Sequence, residues 1–135
     1  MMDFTKMYIN GKWVPGASGD FIEVENPATM QKFAKVPAGN AVDIDKAAKA
    51  AHDAFPAWAA TPLSKRIALM EKFLTIFKSQ EDELIDITIK ELGSPYNFTK
   101  SSQVEYQYVR TRSYIDLAPS VPMVEKMAES TTYRE

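Results

Sequence analysis

The sequence contains no cysteine. That excludes disulfides, a thiol nucleophile and thiolate metal sites for this chain. Histidine occurs once, at His52, among charged neighbours and with no serine or cysteine partner in view. It reads as a surface residue rather than a catalyst. Glycine is sparse, at Gly11, Gly16, Gly19, Gly39 and Gly93. Gly16 and Gly19 fall in a strand–loop–strand context and not ahead of a helix, so they build no phosphate cradle. Long hydrophobic runs are missing too, which leaves neither a signal peptide nor a membrane span and makes the cytoplasm the expected compartment. A net charge of −2 and a sequence pI of about 5.5 give no electrostatic case for nucleic acid or an anionic membrane.

What is present is an ordinary apolar content in 135 residues, enough for one domain and not two. No internal repeat or low-complexity segment breaks it. Residues 1–39 read as a β-rich arm, residues 40–118 as a helical segment, and residues 119–135 as a tail with a possible oligomerisation strand. The fold class expected from the chain as it stands is α+β: a β-hairpin and short strands, then about four helices.

The helical segment organises the rest. Asn40 is a favoured N-cap and Asp43 follows at the position from which an acid reaches back. Ile44, Ala47, Ala48, Ala51 and Phe55 then share one face, an alanine-rich stripe that suits close approach to a neighbour. Pro56 disfavours the helical conformation at Phe55 and is expected to end the run. Thr61-Pro62 reads as cap and first position of a second helix. Its stripe is Leu63, Ile67, Met70, Leu74 and Phe77, widened by Leu69, Phe73 and Ile76 beyond what one neighbour can cover. A third helix begins near Ser79 with Glu81, Asp82 and Glu83 in its first turn. It carries Leu84, Ile85, Ile87, Ile89 and Leu92 and stops at Gly93 and Pro95. Val104, Tyr108, Thr111, Ile115 and Ala118 place a fourth helix over Ser102 to Ala118.

The arm is built from shorter pieces. Tyr8-Ile9 and Lys12-Trp13-Val14 flank Asn10-Gly11, a pair suited to a type I′ turn because both positions need positive φ. Phe21 to Glu25 reads as a strand broken by Asn26-Pro27, and Lys32 to Val36 as another. In the tail, Ser130 to Tyr133 could form one more strand.

Few residues suggest chemistry. Glu81, Asp82 and Glu83 are consecutive on a helix and point in different directions, so they read as a solvated helix start rather than a metal site. Tyr106, Tyr108 and Tyr114 lack the basic strip of a nucleic-acid platform and read as packing residues. No residue of this chain is assigned to catalysis, to a cofactor or to a metal.

Together these pieces resemble the N-terminal portion of the NAD(P)-dependent aldehyde dehydrogenase superfamily. The stretches that carry the resemblance are Tyr8-Ile9-Asn10-Gly11-Lys12-Trp13-Val14 and Val24-Glu25-Asn26-Pro27-Ala28-Thr29. Asp43 opens an alanine-rich helix ending Ala54-Phe55-Pro56-Ala57-Trp58. Arg66 lies early in the second helix, and Glu91-Leu92-Gly93-Ser94-Pro95 closes the third. No single piece is specific; their order and spacing are, almost continuously from Met7 to Ala118.

The resemblance implies a parent enzyme that oxidises an aldehyde to an acid with NAD or NADP. Its cysteine nucleophile, glutamate base, oxyanion-holding asparagine and Rossmann-type nucleotide site would all lie beyond these residues. A Pro-x-Gly-Val stretch would follow something like Thr131 to Glu135. It also implies that the helices pack on the nucleotide-binding sheet and that the last segment serves oligomerisation. In some relatives a monovalent cation sits on main-chain oxygens at positions matching Val24, Glu25 and Glu91, with a further ligand from elsewhere.

The leading expectation is therefore an aldehyde dehydrogenase fragment, inactive alone and without a bound cofactor. Its partners would be the missing remainder of the enzyme or a second copy of itself. A stand-alone interaction module and a half-enzyme completed by a second chain are the alternatives. A module should have acquired polar residues on faces that lost their partner, and Phe77, Ile85, Ile87 and Ile89 show none. Those four and Phe73 are expected to remain uncovered and to drive association.

Overall fold

In the computed structural model, residues 2–122, 124–126 and 131–133 are described. A strand β1 (Met2–Asp3), not foreseen from the sequence, pairs in parallel with β5 (Gln31–Pro37). The antiparallel partner of β5 on its other side is β4 (Phe21–Asn26), so the sheet order is β1-β5-β4. A separate hairpin joins β2 (Lys6–Ile9) to β3 (Lys12–Pro15). Its turn is the expected one, with Asn10 at φ 53° and Gly11 at φ 73°.

The β4–β5 connection is an Asx turn: the Ala28 N–H donates to Asn26 Oδ1 at 2.9 Å. Met30 completes it at φ 57°, a left-handed conformation unusual for a residue with a side chain.

Helix α1 (Ala41–Ala59) begins at the expected N-cap. Asn40 Oδ1 accepts from the Val42 N–H at 2.9 Å, and the Asp43 carboxylate accepts from the Asn40 N–H at 3.2 Å. This is a reciprocal capping box. The expected stop at Pro56 is wrong, since α1 runs three residues further. Pro56 lacks only the N–H that would have met the His52 carbonyl, and the last turn survives that single loss. The Thr61 hydroxyl donates to the Ala57 carbonyl at 2.9 Å. It thus finishes α1 instead of capping the second helix.

Helix α2 (Leu63–Ser79) is preceded by Pro62, with no side-chain cap. Helix α3 (Glu81–Leu92) ends at Gly93, which adopts φ 67° as a left-handed cap. A Cβ there would sit 2.9 Å from Pro27 Cγ, so glycine also allows the end of α3 to close on the turn after β4.

The fourth helical run starts earlier than Ser102. It comprises α4 (Tyr96–Phe98), a π-helical stretch (Thr99–Glu105) and α5 (Tyr106–Leu117), followed by a 3₁₀ turn (Ala118–Ser120). Thr99 is fully buried, and its hydroxyl donates to the Pro95 carbonyl; the Ser101 hydroxyl donates to the Asn97 carbonyl. Hydroxyls that compete for carbonyls four residues back loosen the α ladder, and here it widens to the π spacing.

The core lies where this long run meets α2 and α3. Leu74, Ile85, Val104 and Ile115 are buried there. Helix α3 also packs on β4, while α5 packs on α2. In the tail, β6 (Val124–Lys126) pairs antiparallel with β7 (Thr131–Tyr133). Ser130, named with β7 from the sequence, lies outside the described residues.

Candidate functional site

Two surfaces stand out: an uncovered apolar face and a cleft between α2 and α5. The face begins on α1, whose cross-element packing is against β2. Ile44 and Phe55 remain 67% and 51% exposed, and Ala47, Ala48 and Ala51 are exposed with them. The alanine-rich stripe therefore does not find its neighbour among the described residues. On α2, Leu63, Ile67 and Phe77 are half-covered and Leu74 is sealed, while Leu69, Phe73 and Ile76 lie outside. Each large apolar side chain left in water forgoes about 1.5–3 kcal/mol relative to burial.

The expected list of uncovered residues needs correction. Of Phe73, Phe77, Ile85, Ile87 and Ile89, only Phe73 is exposed; Ile85 is buried and the others are half-buried. The early start of the fourth helical run supplies the cover, because its π stretch lies on α3.

What holds the arm to α1 is Asp43, which is 4% exposed. Both its oxygens accept from the Ala17 N–H, at 3.0 and 3.1 Å, while Oδ2 also takes the Asn40 N–H. One carboxylate thus caps the helix and fixes the β3–β4 loop. The first-turn amides that a phosphate would need, those of Val42 and Asp43, already donate to Asn40 Oδ1. The single glycine ahead of this helix, Gly39, makes no glycine-rich turn, so these residues do not fit a nucleotide phosphate.

The cleft between α2 and α5 has a volume of about 440 Å³. Leu63, Ile67, Met70, Ile115 and Ala118 form its apolar walls, and Arg66, Arg110, Thr111 and Tyr114 add polarity without any carboxylate. Beside it, Arg112 makes a bidentate pair with Glu71 and has Asp116 at 3.8 Å. The two guanidinium donors hold the Glu71 carboxyl below its ordinary range, and that pair raises Arg112 in turn. Arg110 donates to Gln107 at 3.0 Å and lies 6.0 Å over the Tyr106 ring. The Nε of Arg66 is buried and has no hydrogen-bond partner among the described residues.

The remaining sequence candidates are placed as follows. His52 is exposed, as expected. Among the described residues no three histidine or acidic groups converge on a metal-sized site. Glu81 binds Lys78 at 2.7 Å, and Asp82 and Glu83 are exposed. The tyrosines do not act together as packing residues. Tyr108 is half-buried under Lys78, whereas Tyr106 and Tyr114 are exposed. The contact of α3 with β4 brings the strand of Val24 and Glu25 beside the helix that carries Glu91. A bulge between Val24 and Glu25 interrupts the ladder there.

The sequence model of the aldehyde dehydrogenase family matches residues 13–135. The chain belongs to that family. A Staphylococcus aureus protein described as an aldehyde dehydrogenase is 38% identical over 121 residues, covering 86% of this chain and 25% of that protein. The crystal structure of aldehyde dehydrogenase from Bartonella henselae matches with a TM-score of 0.90 and 27% identity, over 96% of this chain and 27% of the other. Aldehyde dehydrogenase C from Pseudomonas syringae, solved with NAD+ and octanal, matches with a TM-score of 0.90 and 28% identity, over 98% of this chain and 27% of the other. The chain thus spans about a quarter of the length of the relatives it matches. The resemblance to an N-terminal portion and the α+β class are both borne out. Among the described residues no helix is long and apolar enough to cross a membrane.

Sequence reasoning missed the cleft and the second role of Asp43. The spacing of Leu63, Ile67, Met70 and Ile115 contained the walls of the cleft. Nothing local announced that the Nε of Arg66 would lack a partner among the described residues, or that Ala17 would reach Asp43.

Proposed function

We propose that this chain is the N-terminal structural portion of an NAD(P)-dependent aldehyde dehydrogenase, a single incomplete domain that does not oxidise aldehydes alone. The observation that carries the reading is the match to whole enzymes over nearly all of this chain and about a quarter of theirs. The complete enzyme would convert an aldehyde to an acid in the cytoplasm, with NAD or NADP bound by its other parts. A relative solved with NAD+ and octanal supports that chemistry. The absence of cysteine supports inactivity of the isolated chain, since the implied nucleophile is not here.

In this reading the outer faces of α1 and α2 serve assembly. They receive either the remainder of the enzyme or, when that is lacking, a second copy of the chain, with the tail as the exchanged segment. Neither nucleic acid nor membrane is a partner. A stand-alone module gains little support from a surface with Ile44, Phe55 and Phe73 in water.

The test is a purified chain of verified mass, assayed with a panel of aldehydes and either nucleotide. No turnover above buffer is expected, and measurable turnover would refute the reading. Sedimentation over a concentration series should show self-association. A monomer at high concentration that binds no hydrophobic dye would favour the module instead.

A further inference from the structure

We propose that the groove between the β2–β3 hairpin and α1 is a binding site for a small organic carboxylate, an anionic head on an apolar body. The site goes beyond the assembly reading, because every residue it uses belongs to this chain. The groove has a volume of about 610 Å³. That falls within the about 300–1,000 Å³ usual for small-molecule sites. Ile9, Val14, Pro15 and Ala50 form its apolar walls, and all but Pro15 are half-buried. Lys12 on the hairpin and Lys46 and Lys49 on α1 supply positive charge. The spacing of Lys46, Lys49, Ala50 and Asp53 puts them on one face of α1, turned to the hairpin.

The two carboxylates that line the groove are already engaged. Asp43 accepts from the Ala17 and Asn40 amides, and Asp53 pairs with Lys49 at 2.7 Å. The side chains of Lys12 and Lys46 have neither an ion pair nor a hydrogen bond among the described residues. Two spare ammonium groups beside apolar walls complement an anion that carries an apolar body. The head is a carboxylate rather than a phosphate. The first-turn amides of α1 are committed to Asn40, and no arginine fork lines the groove. Lysines act as point charges, which suffice for a single negative charge. The two walls are also fixed before any ligand arrives, because Asp43 ties Ala17 to the start of α1 at 3.0 and 3.1 Å.

The experiment follows backbone amide shifts of the full chain during titration with submicellar octanoate. The comparison ligands are 1-octanol, the same tail without the charge, and inorganic phosphate, charge without a tail. Octanoate should move the amides of Ile9, Val14, Ala17 and Ala50 saturably, and each comparison ligand should bind about tenfold more weakly or worse. Lys12→Gln combined with Lys46→Gln should weaken octanoate by about fivefold or more, the scale of two exposed charge contacts. Asp53→Asn removes a competing carboxylate and releases Lys49, so it should tighten binding by about two- to threefold. Lys65→Gln on α2 and Asp82→Asn on α3 make the same charge changes outside the groove and should alter nothing. All of these positions are exposed, so the fold is expected to persist. No saturable shift at the groove overturns the site, as does octanol or phosphate binding as tightly as octanoate. Shifts centred on Ile44 and Phe55 overturn it too, by assigning octanoate to the open apolar face. So does affinity that is indifferent to the lysine pair and to Asp53→Asn. None of these results touches the family reading.

Discussion

Helices α1 and α2 are alike in length, at 19 and 17 residues, and both repeat apolar residues at helical spacing, yet they end in different surroundings. Helix α2 has α5 on one side, so Leu74 is sealed. The stripe of α1 faces water from Ile44 to Phe55, and the helix is held mainly at its N-terminus by Asn40 and Asp43. An amphipathic pattern states that a face must be covered; it does not state by which polypeptide. The difference divides the molecule into a part whose core is complete and a part that offers a surface.

The sharpest way to break this comparison is to truncate the sealed side. Leu74→Ala should cost about 2–5 kcal/mol of unfolding free energy in urea, the usual range for a cavity left by a buried leucine. A loss near zero would mean that α2 and α5 do not form a packed core. Next is Asp43→Ala, expected to cost about 1–3 kcal/mol because the Ala17 and Asn40 amides lose their acceptor inside the structure. Chemical shifts of the β3–β4 loop should change together with those of the start of α1. Changes confined to the helix would deny the bridging role.

A smaller effect belongs to the Glu71–Arg112 pair across α2 and α5. Arg112 lowers the Glu71 pKa from its ordinary 4.5, so folding favours the charged carboxylate. The stabilisation is therefore present above about pH 4.5 and fades as the pH falls through the lowered native value. Glu71→Gln should reduce the Tm by a few degrees at pH 7, since the pair is partly exposed. That difference should vanish in acid; a constant difference across pH would assign the effect to packing. The smallest change is expected on the open side. Ile44→Ala should alter the stability of the isolated chain by no more than about 0.5 kcal/mol, as for surface positions generally. A loss comparable to that of Leu74→Ala would show that α1 is buried after all.

Much of this division was legible in the residues. The Asn10-Gly11 turn, the Asn40–Asp43 cap and the Gly93 stop are local features, decided by the backbone preferences of a few neighbours, and each stands where the pattern puts it. The failures have non-local or competing causes. Pro56 was a poor stop because a proline near a helix end removes only one hydrogen bond. The fourth helical run was missed over 96–101 because Thr99 and Ser101 weaken the α pattern that their hydroxyls convert to π geometry. That early start then changed which apolar residues were covered, moving the open surface from α3 to α1 and the outer side of α2. The unpaired Nε of Arg66 was beyond reach, since a partner missing among the described residues is visible only in three dimensions.

The claim that one side is complete and the other is not is tested most directly by native-state hydrogen exchange on the isolated chain. Amides in the middle of α1, from Ala47 to Ala54, should exchange through local opening. Those around Leu74 and in the second half of α5, near Ile115, should approach the protection set by global unfolding. Equal protection of α1 and α2 would contradict the account.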